Sequence, residues 1–314
     1  MARYLQMLTQ KTPSGDVIDH LWKGSIDIHI HFAPDPGTRR RWDGYTTAEE
    51  AHKAGMRGVV LKSHHIPSIQ TAYAVQNIFP DVNVCGSICL DENMGGLTEV
   101  GLESLIANAK MGCKVVWFPL ESRFSHVLRP NLAGTGAYIL DDNGKMLPII
   151  DEFLKVIKDY DMLLCNGHLS YEESVPLFEH AKKIGIDKMV ATHPFYDCLW
   201  NPYTMEQVKD LADRGVYIEH CYRECLPLSG SHDPMEYVAA IKRCGAERTI
   251  LSTDHAQITD DSPAEGMRAF IAMMLQLGIS ESDMELMVKK NPAFLLGLPY
   301  PIPENEDFSK NKEW

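Results

Sequence analysis

The 314-residue sequence has no run approaching the roughly 20 apolar residues that a bilayer-spanning helix needs. Residues 1–24 also lack the cationic start and apolar block of a secretory leader, so the expectation is a cytoplasmic protein with no membrane partner. Positive charge is scarce: 30 Lys and Arg against 43 Asp and Glu give a formal net charge of −13. Only Arg39-Arg40-Arg41 stands out as a basic cluster, which argues against nucleic acid, whose phosphates need a concentrated Lys/Arg patch. The eight cysteines supply no CxxC spacing at Cys221 and Cys225, so a zinc ribbon is excluded; several lie inside apolar runs, where a reduced thiol behaves as a small hydrophobe. No GxGxxG or GxxxxGK[ST] follows an apolar run, which removes the common nucleotide cradles. A small-molecule partner remains, with self-association as a homo-oligomer left open.

What the sequence does contain is alternation. Short runs rich in Val and Ile are read as eight strands: 25–31, 58–62, 82–90, 114–119, 162–166, 188–192, 216–219 and 248–253. Helix-like segments separate them, among them 46–55, capped by Thr46 or Thr47 and ended by Gly55, and 147–160, 171–184, 204–213, 234–243 and 263–277. Eight β/α units predict an α/β fold of the (β/α)8 TIM barrel type, with an open doubly wound sheet as the competing arrangement. The expected organisation is an N-terminal extension over 1–24, a barrel over 25–298 and a C-terminal tail over 299–314 that reads as solvated. An insertion around 121–145 carries DDNG and GTG turn signals and reads as a long loop or small hairpin.

In such a barrel the active site lies where the strands end. The first strand ends in His29 and His31, the second in Lys62 followed by His64 and His65, and the fifth in His168. The sixth ends in His193, the seventh in His220 and the eighth in Asp254 followed by His255. Alternation predicts that His29 and His31 point into the barrel while Ile28 and Ile30 face the helices. His168, His193 and Asp254 then complete the N/O donor set that Zn²⁺ and similar ions prefer. A lone strand-end histidine is ordinarily hydrogen-bonded or solvated, and His20, His52, His180 and His232 are read that way. Five donors from four strand ends on one axis are a different matter, because burying them unpaired is costly.

This order of residues resembles the amidohydrolase superfamily of metal-dependent hydrolases, over essentially the whole barrel to the NPAFLLGL segment. It is similar to an uncharacterised branch with DxHxHxxPD, KxH, GH and THP motifs, here Asp27 to Asp35, Lys62 to His64, Gly167-His168 and Thr192 to Pro194. The resemblance implies one or two divalent ions, zinc first and manganese or iron as alternatives. His29 and His31 would hold the first ion, and His168 and His193 would hold a second or complete the first. Asp254 would be both ligand and proton acceptor for the attacking water. Many binuclear relatives carry a bridging lysine at the end of strand four; here the sequence is VVWFPLES, with Glu121 the nearest carboxylate.

The implied activity is hydrolysis of an amide, cyclic amide or lactone carbonyl, with a mononuclear decarboxylase or other lyase as the alternative and a silent metal-binding barrel as a third class. Lys62 and His64 are the expected oxyanion-stabilising residues. His220, and His126, Arg129 and Tyr138 of the insertion, are the expected substrate contacts, and Asp35 is expected to orient a ligand histidine. Loop arginines at the same end, Arg40 and Arg223 among them, are candidates for a substrate carboxylate.

Overall fold

The computed structural model describes residues 13–120, 138–196 and 202–310. Its strands are all parallel and occupy eight positions around a ring: β1 (Ile26–His31), β2 (Gly58–Lys62), β3 (Asn83–Cys85) with β4 (Ser87–Cys89), β5 (Val115–Trp117), β6 (Leu163–Cys165), β7 (Met189–Ala191), β8 (Tyr217–Cys221) and β9 (Thr249–Ser252). β3 and β4 are one predicted strand interrupted at Gly86, where a Cβ would lie 2.5 Å from the Ile69 Cα. The other seam joins the ends of the chain: Asp254 N–H donates to the His29 carbonyl and His31 N–H to the His255 carbonyl, each at 2.9 Å. The arrangement is the (β/α)8 barrel that the alternation predicts.

Two apolar layers follow from the strand pleat. Val115, Trp117, Leu163, Cys165, Val190, Tyr217 and Ile250 fill the interior, closed at one end by Leu295 and Leu296. Val59, Leu61, Val116, Leu164, Ile218 and Leu251 pack outward against the helices. β1 breaks this rule. Its pairing with β2 shifts between Asp27 and Ile30, so three steps on β1 match two on β2. Ile26 and Ile28 therefore pack in the interior, while Ile30 joins the outer layer. The expectation that Ile28 faces the helices is corrected by this bulge, which re-aims the strand just before its histidines. Asp27 fixes the distortion: its carboxylate accepts the His29 N–H at 3.1 Å, the Thr253 N–H at 3.2 Å and the Thr253 hydroxyl at 2.5 Å. Burial pushes this carboxyl up to about 7 in spite of those donors.

Local signals explain the helices. Asp43, rather than either threonine, caps Gly44–Ala54, with Thr46 returning the bond as its capping-box partner, and Gly55 ends the helix at φ +67°. Beyond the expected set, Gly15–Trp22 is helical and docks on Pro263–Gln276, the Trp22 indole donating to the Ala264 carbonyl at 2.9 Å. The segment after 298 is not simply solvated. Glu306 takes a two-pronged bond from the buried Arg57 guanidinium at 2.6 and 2.7 Å, and Phe308 is buried. Within the predicted insertion, Leu140 pairs with Met146 around the DDNG turn; Glu121, His126 and Arg129 lie outside the described residues.

His220 departs from expectation for the same pleat reason. Tyr217, Glu219 and Cys221 of β8 face inward, so His220 points to the helix layer and stacks on Tyr237 at 4.4 Å. His232, expected to be solvated, packs on the same ring at 4.7 Å. Among the described residues neither ring nitrogen of His220 has a hydrogen-bond partner, and burial, with a further contribution from His232, pulls its pKa down to about 3. It is neutral in the fold, whereas the unfolded chain takes up the proton below about 6.5. Its contribution is thus complete above that pH and lost as pH falls towards 3. His220→Phe keeps the stack and cannot be protonated, so its melting temperature should fall less between pH 7.5 and 5, by a few degrees. An unchanged fall in thermal denaturation would show that His220 does not set the acid sensitivity.

Candidate metal centre

The bulge delivers His29 and His31 side by side at the mouth, their rings 5.6 Å apart. Asp254 meets them from the end of β9: its Oδ1 lies 3.2 Å from His29 Nε2 and 3.1 Å from His31 Nε2. Asp254 holds φ +55° and His193 φ +27°, left-handed backbone that costs on the order of 1–3 kcal/mol at a non-glycine residue. Such strain is typical of side chains aimed by their surroundings. Behind His29 stands Glu219, fully buried, whose carboxylate oxygens are 3.2 and 3.3 Å from Nδ1. A carboxylate there favours the ring proton on Nδ1 and a lone pair on Nε2, which lies against Lys62 and Asp254.

The electrostatics of the three groups differ. Burial pushes His31 well below its ordinary pKa, keeping it neutral. For His29, burial and Lys62 act in the same downward direction, but Glu219 and Asp254 outweigh them and raise it. Asp254 is held well below the usual carboxylate range: burial opposes ionisation, and the two histidines more than offset it. Lys62 Nζ is 2.8 Å from His29 Nε2 and sits 5.1 Å from the centre of the Trp117 ring. Two imidazole nitrogens and a carboxylate oxygen in mutual reach fit a divalent metal.

His168 and His193 line the same cavity but form a second layer. Their rings are 5.2 Å apart, and His193 stacks on His29 at 5.6 Å. Burial lowers both pKa values, His168 to about 3. Gly167 positions His168: at φ +60° a Cβ would collide with the Phe118 carbonyl, and the next amide donates to the Pro119 carbonyl at 3.0 Å. Lys62 and His64 also line the cavity, His64 stacked on His31 at 4.9 Å. Tyr138 is exposed and does not line it, and His220 lies behind the wall.

The cavity measures about 240 Å³ and opens at the C-terminal ends of the strands. A larger one of about 440 Å³ lies elsewhere, beside Ile69, Gly86 and Leu298, and carries none of these donors. Thr38, Arg40, Tyr196, Arg223 and Gln257 complete the lining of the smaller cavity. Asp35 takes the Arg40 Nε–H at 3.0 Å and lies 3.7 Å from His65 Nε2, while Arg40 Nη2 approaches His31 Nδ1 at 3.3 Å, so Asp35 reaches that candidate ligand through the arginine. Arg223 is steadied by the Tyr196 hydroxyl at 3.1 Å and lies 3.9 Å from Asp254 Oδ2.

Glu219 is the residue that sequence reasoning missed. The signal was present: a glutamate in the middle of an otherwise apolar buried strand is more informative than the histidine beside it.

Residues 24–219, more than half of the chain, match the model of a family described as a family of unknown function, DUF6282. The chain belongs to DUF6282. No curated protein matches this DUF6282 member. Among solved structures it is similar to an amidohydrolase from Pseudomonas aeruginosa, with a TM-score of 0.56 and 11% identity over 89% of this chain and 98% of the other. It is also similar to a protein described as a probable 2-pyrone-4,6-dicarboxylic acid hydrolase from Acinetobacter baumannii, at TM-score 0.58 and 15% identity over 88% and 100%. An organophosphorus hydrolase from Deinococcus radiodurans gives 0.55 and 13% over 87% and 92%. At these identities the DUF6282 chain shares their fold. Among its described residues, no helix is long and apolar enough to cross a membrane.

Proposed function

We propose that the protein is a metal-dependent hydrolase that attacks an amide, cyclic amide or lactone carbonyl of a small molecule. The observation that carries this reading is the meeting of His29 Nε2, His31 Nε2 and Asp254 Oδ1 at the mouth, with Glu219 behind His29. A divalent ion, zinc in the first instance, would be held by these residues and would supply Lewis-acid polarisation and water activation when bound. His168 and His193 are the candidates for additional donors.

The remaining work falls to the chain's own groups. Asp254, kept ionised by its histidines, accepts a proton from the attacking water and returns it to the departing nitrogen or oxygen. Lys62, buried with its ammonium at the cavity floor, stabilises negative charge growing on the carbonyl oxygen, and His64 assists from the side. Arg40 and Arg223 are each braced from behind by an acid, Asp35 and Asp260, with guanidinium nitrogens at the cavity. That disposition suits a substrate bearing a carboxylate near the scissile bond.

A lyase reading is supported by one fact: among the described residues, His168 and His193 are not part of a close donor triad, as expected for a mononuclear centre. Elemental analysis should find bound divalent metal, and a panel of carboxylated amides, lactones and phosphoesters should be turned over only by metal-loaded protein. Carbon dioxide release from aromatic acids without hydrolysis would favour the lyase. No bound metal and no gain with added Zn²⁺ or Mn²⁺ would overturn both readings.

A further inference from the structure

We propose that His64, Cys89 and Asp91 form a second, thiolate-containing site for a borderline divalent cation such as Zn²⁺, Co²⁺ or Fe²⁺, beside the His29–His31–Asp254 centre. The three residues come from the ends of neighbouring barrel strands, His64 beyond β2, and Cys89 and Asp91 at and beyond β4. Their ligand atoms all lie within 4.8 Å of one another. Around one ion with a Zn–S bond near 2.3 Å and Zn–N and Zn–O bonds near 2.1 Å, tetrahedral donors stand about 3.3–3.7 Å apart. His64 Nδ1 and Asp91 Oδ2 are already at 3.8 Å.

Each donor is aimed by something other than a metal. Asp91 Oδ1 accepts the Leu120 N–H at 2.9 Å, which turns Oδ2 towards His64. The His64 ring is held by its stack on His31 at 4.9 Å. Cys89 is a reduced cysteine, outside any disulfide, packed into the barrel interior. Binding displaces the thiol proton to bulk water and leaves thiolate, imidazole and carboxylate on the ion. This soft donor distinguishes the site from the N/O triad, and it selects against Mg²⁺ and Ca²⁺. The proposal does not depend on the hydrolytic reading, since metal binding is measured without a substrate.

The test uses the full chain, stripped with a chelator and titrated with Co²⁺. A sulfur-to-cobalt charge-transfer band should grow to a plateau at one thiolate-bound cobalt per chain, and Mg²⁺ should not compete. Cys89→Ser should remove the band while cobalt at the N/O triad keeps its visible absorption. His64→Gln should weaken the band's affinity at least tenfold, and Cys221→Ser should leave it intact. His29→Ala, which removes a donor of the triad without touching the ring that holds His64, should remove the N/O absorption and spare the band. Absence of the band in the unmodified chain would overturn the proposal. So would its loss in Cys221→Ser instead of Cys89→Ser, because Cys221 lies with His29 and Glu219 in another close group. Loss of both signals in His29→Ala would mean a single shared ion, and the second site would fall.

Discussion

Asp254→Asn should keep its metal and lose turnover by about 10²–10⁴-fold, the range expected when a positioned acid–base group is removed. Asparagine has the same shape and still offers an oxygen at the Oδ1 position, 3.1–3.2 Å from both histidines, so the donor set persists. What disappears is the ability to take a proton. The left-handed backbone at this position favours the substitution being structurally silent, since asparagine tolerates that region better than most residues. Metal content by elemental analysis and kcat on the best substrate of the panel are measured together. Unchanged kcat with retained metal removes Asp254 from the proton transfer; loss of metal shows that its charge is needed for binding first.

Glu219→Gln should weaken metal binding by about 10–100-fold, the usual consequence of disturbing the carboxylate behind a ligating histidine. The glutamine can occupy the same buried space, but its neutral amide neither fixes the Nδ1 proton as firmly nor raises the basicity of Nε2. Cys221, whose Sγ lies 3.9 Å from His29 Nδ1, offers only a weak substitute. The expected phenotype is a shifted chelator-competition curve with most of kcat recovered at saturating metal. An unshifted curve would mean that Glu219 serves only to neutralise charge in the barrel.

Much of this architecture was legible in the sequence because parallel barrel strands announce themselves as short apolar runs between amphipathic helices. His31, His64, His168, His193, Lys62 and Asp254 line one cavity, and His29 lies buried directly behind Asp254, in keeping with the strand-end rule. The failures have a common cause. At β8 the polar pair Glu219-His220 can be read in either phase, and only the inward packing of Tyr217 and Cys221 on either side shows that the acid faces the barrel. At β1 strict alternation gave the correct direction for the histidines and the wrong one for Ile28, since a bulge leaves no sequence mark stronger than an aspartate. Arg40 and Arg223 come from loops, whose course depends on contacts such as Asp35 to Arg40 that no periodicity encodes. The tail beyond 298 looked solvated because its composition is polar; one bidentate bond from Arg57 and one buried phenylalanine anchor it.

The filled barrel interior has a consequence for traffic. Among the described residues, Trp117, Tyr217 and their neighbours fill the barrel beneath the centre, and Leu295 and Leu296 close its far end. On the proposed hydrolytic reading, substrate, leaving group and acid product would share the doorway that Arg40 and Arg223 line. A carboxylate product would then compete with the next substrate for those arginines, and the pace of repeated cycles would follow how readily they let go.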